Sequence, residues 1–259
     1  MPSDRSIPSQ RLLVPLLVAL LGAGGCVTTE TGGLPAPAAK ERRVQAQLDL
    51  ARALLSERKF DRARDPLDRA LKIDDESVEA HVLYAVLSDG EGEPEIAEKY
   101  YRKAIRLGPE NAQALSNYGA FLIARARTDE ALPLLERAVQ DTGYVLRSQA
   151  YENLGIARQL LGDRAAAQMA FARAVSLNRG QARSNLELAE MALADGKAVD
   201  ARELLNNYRA VASQTPRSLC LGIQAAQQLG DADSLASNTI ALKNLFPDST
   251  EARRCTVQP

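Results

Sequence analysis

The chain has no tryptophan, a single histidine and only 4% aromatic residues. Binding of bases or sugars by stacking needs aromatic platforms, so their scarcity argues against it. His81 has no second histidine with which to share a metal ion and reads as a packing residue at or between helices. Acidic and basic residues balance, 33 against 32, and are interspersed along the chain. A nucleic-acid partner requires a basic stripe, which this pattern lacks. No glycine-rich loop follows a strand-like run, so a phosphate cradle has no support. No nucleophile, base and acid fall into a catalytic set. The expectation is a non-enzymatic protein with no cofactor, no metal and no small-molecule substrate. Long apolar runs are also scarce, and the one from Leu12 to Leu21 is too short to span a bilayer.

What the chain does have is a repeat. Ser116-Asn117-Tyr118-Gly119 returns as Glu152-Asn153-Leu154-Gly155, and the small residues Ala131 and Ala138 after the first return as Ala167 and Ala174 after the second. The first small position falls on Ala51, Ala85, Gly119, Gly155 and Ala189, in steps of 34, 34, 36 and 34. The second falls on Ala63, Ala97, Ala131, Ala167 and Ala201. Small residues at this period let two antiparallel helices approach closely where they cross. The pattern resembles the tetratricopeptide repeat, which implies an all-α, right-handed superhelix of about six helix-turn-helix units. The units are read as residues 44–77, 78–111, 112–147, 148–181, 182–215 and 216–249, with a tail at 250–259. The sixth is the least regular, because Ile223 and Leu235 stand where the others have small residues.

Local signals agree with helix pairs. Asp61, Thr128 or Asp129, Asp163 and Asp231 can cap or charge-complement second helices, and Gly92, Gly162, Gly196 and Gly230 fall at the turns. Pro66 and Pro133 lie close enough to helix starts to predict a local distortion without a break. An apolar set with i, i+3, i+4, i+7 spacing predicts the core; it includes Leu50, Leu54, Leu67, Tyr84, Tyr101, Tyr118, Leu135, Phe171 and Leu205.

In the tetratricopeptide family the first helices line a concave groove, and the second, fifth, sixth, ninth, twelfth and thirteenth repeat positions face into it. That resemblance implies a protein-binding groove with Leu48, Leu55, Val82 and Val86 as an apolar stretch. It places Gln113, Asn117, Gln149 and Asn153 in the next two repeats, each Gln four residues before an Asn and so on one helical face. Amides carry both donors and acceptors and could form a ladder along an extended peptide backbone. Equally, the asparagines could satisfy local backbone groups. Arg183, at the next equivalent site, could take a carboxylate or pair with Glu187 on its own helix.

The N-terminus reads as an export signal: Arg5 and Arg11, the apolar run, then Ala23-Gly24-Gly25-Cys26. The last four resemble a bacterial lipobox, which makes Cys26 the expected lipidated first residue of the mature protein, held on the membrane by acyl chains. Val27 in place of aspartate after it implies, by the Gram-negative sorting rule, the periplasmic side of the outer membrane. Residues 26–41 are read as the lipidated cysteine and a flexible tether, with the folded part from 42. Cys220 and Cys255 then remain as an even pair in an exported chain, one repeat apart, and are expected to form a disulfide that fastens the C-terminal tail.

Six such repeats behind a lipoprotein signal, with the two Asn-containing motifs and a cysteine pair at the C-terminal end, resemble the type IV pilus biogenesis and stability family of outer-membrane pilotins. The resemblance implies that the protein binds a subunit of the pilus secretin and promotes its outer-membrane localisation and multimer assembly. The competing expectation is a lipoprotein scaffold for peptidoglycan hydrolases, or an adaptor for a periplasmic protease.

Overall fold

The computed structural model describes residues 36–255. Cys26, and with it the expected lipidation, lies outside the described residues. Six antiparallel helix pairs follow one another: α1 (Ala36–Ser56) with α2 (Phe60–Ile73), α3 (Val78–Gly90) with α4 (Pro94–Leu107), and α5 (Ala112–Ile123) with α6 (Thr128–Ala138). Then come α7 (Arg147–Leu160) with α8 (Arg164–Leu177), α9 (Ala182–Ala194) with α10 (Ala198–Val211), and α11 (Pro216–Leu229) with α12 (Ala232–Leu245). A short α13 (Thr250–Cys255) closes the array. Among the described residues no helix is long and apolar enough to cross a membrane.

The small residues sit where the helices of a pair cross. Ala51, Ala63, Ala85, Ala97, Ala131, Ala167, Ala189 and Ala201 are all fully buried. At Gly155 a Cβ would lie 2.5 Å from the Phe171 ring, and at Gly119 2.7 Å from Leu135, so glycine is required for these contacts. The sixth pair keeps the device one residue earlier. There Gly222 abuts Asn238, with a Cβ 2.9 Å from its Oδ1, and the separation of sixteen residues is that of Gly155 and Phe171. The substitution of Ile223 for a small residue therefore shifts the crossing without abolishing it.

The turns within pairs use a left-handed residue: Gly92, Gly162, Gly196 and Gly230 in four repeats, but Arg58 and Ala126 in the other two. Asp163 and Asp231 accept from the backbone N–H groups of Ala166 and Ser234 as N-caps. Residue 127, an arginine, holds the cap position of α6 without a capping side-chain bond, leaving Asp129 to the first turn. Pro66 and Pro133 are accommodated inside unbroken helices.

Two expectations are corrected. Helix α1 starts at Ala36, so residues 36–41 are helical and not tether; Lys40 already pairs with Asp74 at 3.1 Å. Leu50 is 50% exposed and no part of the core, because it points away from the α2 face that buries Leu48, Ala51 and Leu54. The tyrosines do pack: Tyr84, Tyr101 and Tyr118 are buried, with Tyr101 stacked on Tyr118 at 5.4 Å.

Cys220 and Cys255 are joined, with their Cα atoms 5.6 Å apart. The bridge holds α13 against α11, where Leu219, Cys220, Ile223, Leu242 and Ala252 form a terminal core. A six-residue helix cannot be stable alone, so its attachment depends on this packing and cross-link.

Candidate functional site

The array curves toward its first helices. Each of α1, α3, α5, α7 and α9 touches the first helix of the next pair, whereas among the described residues no second helix reaches the next second helix. Close inner and splayed outer helices make the surface of α1, α3, α5, α7, α9 and α11 the concave one.

Its chemistry changes along the array. In the first two repeats Leu48 is 2% exposed and Val82 0%, each inside a core cluster. The expected apolar docking stretch is thus corrected: both side chains are consumed by packing between α1, α2, α3 and α4, and only Leu55 and Val86 keep part of their surface. Beside them Arg52 bonds Asp49 at 2.7 Å and also reaches Glu79 of the next repeat.

At the other end the polar groups are equally committed. Arg217 donates to both oxygens of Glu187, at 2.8 and 2.9 Å, and contacts Glu190. Gln159 donates to Glu187 at 3.0 Å. Burial pushes the Glu187 carboxyl upward, but the Arg217 and Gln159 bonds outweigh it and leave the pKa below the ordinary carboxylate value. Arg183 stands 3.9 Å from Glu187 on the same helix, so the ion-pair alternative is the one realised. Glu152 accepts from both the N–H and the hydroxyl of Ser184, at 2.9 and 2.8 Å, tying α7 to α9.

Between these ends lie Gln113 and Asn117 on α5 and Gln149 and Asn153 on α7. Gln149 is exposed and the other three are half-buried, and no side-chain hydrogen bond is made by any of the four within the described residues. Local backbone satisfaction belongs to a different position. Asn185, buried, donates to the carbonyls of Arg179 and Gln181, both at 2.8 Å, and His81 bonds the Asp75 carbonyl at 2.9 Å in the same register. His81 is thus a loop clamp, stacked on Tyr100 at 5.9 Å. Its pKa is lowered by burial, which outweighs the bond to Asp75.

The Glu187–Arg217 pair was missed by sequence reasoning, although its signal exists: they occupy the sixth position of one repeat and the second of the next, the same relation that places Asn117 beside Gln149. A second network escaped altogether. Glu98 accepts from Arg127 at 2.7 and 3.0 Å, from Tyr118 at 2.8 Å and from Arg102 at 2.7 Å. The Arg127 guanidinium foremost holds the Glu98 carboxyl down at about 2, while burial and Glu98 push the Tyr118 hydroxyl up to about 12.

Tetratricopeptide-repeat models match residues 38–88, 89–145 and 148–193. The type IV pilus assembly protein PilF of Pseudomonas aeruginosa is 37% identical over 238 residues, covering 91% of this chain and 94% of that protein. The chain belongs to the PilF family. A solved structure of P. aeruginosa PilF superimposes with a TM-score of 0.78 at 36% identity, over 83% of this chain and 97% of its own. The crystal structure of PilW, a type IV pilus biogenesis factor, shares the fold with a TM-score of 0.67 at 24% identity, over 83% and 98% of the two chains. This PilF-family chain is accordingly a tetratricopeptide-repeat protein of type IV pilus biogenesis, and its concave face is the candidate surface for a protein partner.

Proposed function

We propose that this PilF-family protein is a pilotin. Lipidated at Cys26 and held on the periplasmic side of the outer membrane, it binds a subunit of the type IV pilus secretin and promotes the subunit's localisation and assembly into the multimer. The observation that carries the binding mode is the set of unpaired amides at Gln113, Asn117, Gln149 and Asn153, flanked on both sides by groove charges that satisfy one another. Free amides can bond the backbone of an extended segment in either direction of donation, whereas the paired ends offer little to a charged partner.

The test is affinity capture with the immobilised full chain from detergent-solubilised envelopes. Retention of a secretin subunit that is lost on Asn117→Ala with Asn153→Ala supports the reading. Retention of peptidoglycan hydrolases or a protease instead moves the function to an envelope scaffold. Membrane anchoring has its own check: Cys26→Ser should shift the protein from the membrane to the soluble fraction.

A further inference from the structure

The clamp that ties an inter-repeat loop to the first helix after it is built twice, from two different side chains. His81 and Asn185 both stand fourth in their repeats, and both are buried. Each donates to a carbonyl six residues earlier, His81 to that of Asp75 and Asn185 to that of Arg179. Each also leaves one buried polar atom without a partner among the described residues, Nδ1 of His81 and Oδ1 of Asn185. The amide is indifferent to pH, whereas the imidazole titrates.

A carbonyl only accepts, so the His81 ring carries its hydrogen on Nε2 and leaves Nδ1 as a bare acceptor. A further proton can enter only at Nδ1. Nothing among the described residues accepts it there, and the ring is closed in against Tyr100 of α4 at 5.9 Å. Of the charges that act on the ring, Lys103 on α4 disfavours an imidazolium and the Asp75 carboxylate in the loop favours one; burial, the largest influence, disfavours it. The other carboxylate at the start of this loop, Asp74, is engaged by Lys40 of α1 at 3.1 Å. Tyr84 and Tyr100, both with hydroxyls pushed up by burial, stay neutral while a histidine titrates. An imidazolium at position 81 therefore finds an acceptor for its second N–H only when the loop lifts and water reaches Nδ1.

We infer that His81 makes the junction of the first two repeats an acid-sensitive clasp, which opens at the 74–77 loop when the ring takes up a proton, while the Asn185 clasp between repeats four and five stays shut. The direction follows from linkage. The enclosed ring binds its proton less readily than an opened one, whose ordinary value is 6.5, so the clasp is complete above 6.5 and weakens as pH falls below it. This window lies above the one in which carboxylates titrate. Mild acid thus loosens the first repeat against the second and leaves the later junctions in place.

The chain has a single histidine, so proton NMR of the full chain reads this ring without overlap. Its titration midpoint is expected below 6.5. Amide exchange of segment 74–81, corrected for the intrinsic rate at each pH, should lose protection several-fold between about pH 7.5 and about pH 5.5. The ceiling is about elevenfold, set by protonation of an opened ring one unit below its ordinary value. Segment 178–185 should keep its protection. His81→Asn, which installs the side chain of the fifth repeat, should abolish the acid loss at 74–81, and Asn185→His should transfer it to 178–185. A ring midpoint at or above 6.5, unchanged protection at 74–81, or an equal loss in both segments overturns the inference, as does an acid loss that persists in His81→Asn. Should either variant fail to fold, the ring midpoint and the two segments of the unaltered protein decide the matter by themselves.

Discussion

The groove of repeats five and six and the groove of repeats three and four are built on the same helix positions but do opposite things with them. In the former Glu187, Glu190 and Arg217 close on one another, and Gln159 reaches across to join them. In the latter Gln113, Asn117, Gln149 and Asn153 bond nothing within the protein. Polar groups that satisfy one another hold neighbouring repeats together, whereas polar groups left open to solvent cost the fold nothing and remain available to a partner.

The strongest way to break this contrast is Arg217→Ala, which strands the buried Glu187 carboxylate. A loss of about 3 kcal/mol is expected in urea unfolding, and adding Glu187→Gln should restore part of it because no charge is then left buried. A melt unmoved by Arg217→Ala would mean the pair is an incidental surface contact. Next in size is Gly155→Ala, which drives a Cβ into the Phe171 ring behind the amide-bearing helix. It should cost about 2 kcal/mol. This variant sharpens the comparison by showing that α7 is held from its packed side and not through its groove amides.

Acid acts on the satisfied networks alone. The Glu98 carboxyl has a pKa of about 2 in the folded protein, below its ordinary value of 4.5, so the folded state binds fewer protons between these values than the unfolded chain. Its contribution is complete above the ordinary value and is lost as pH falls toward about 2. Allowing for its partial exposure, about 1 kcal/mol should disappear over that range. Glu187, also lowered, contributes with the same sign. Glu98→Gln should flatten the acid limb of a stability-against-pH curve, and an unchanged limb would place the acid sensitivity elsewhere. The smallest stability effect belongs to Asn117→Ala with Asn153→Ala, within about 0.5 kcal/mol, together with the largest loss of partner capture. Destabilisation beyond that range would show that the amides serve the fold after all.

Much of this architecture was legible in the sequence. The period, the small residues at helix crossings and the turn glycines all report local packing that each repeat performs with its immediate neighbour. The free amides were legible as groove residues, but their freedom was not. Repeat register separates Asn117 and Asn153, at the sixth position, from Asn185, at the fourth, but only the packed structure shows that Asn185 is buried and spends its amide on two carbonyls while the other two spend theirs on nothing. Leu48 and Val82 likewise sit at positions read as groove-facing, yet the neighbouring helices cover both completely.

The sequence by itself determined an all-helical array, its repeat length, its crossing points and the registry of its groove, because these follow from interactions between residues less than one repeat apart. The tertiary structure alone decided which groove groups are buried, paired or open, and that the sixth crossing slides back to Gly222. Those outcomes depend on what the adjacent repeats place against each side chain, and the same residue type at the same repeat position meets a different neighbour each time.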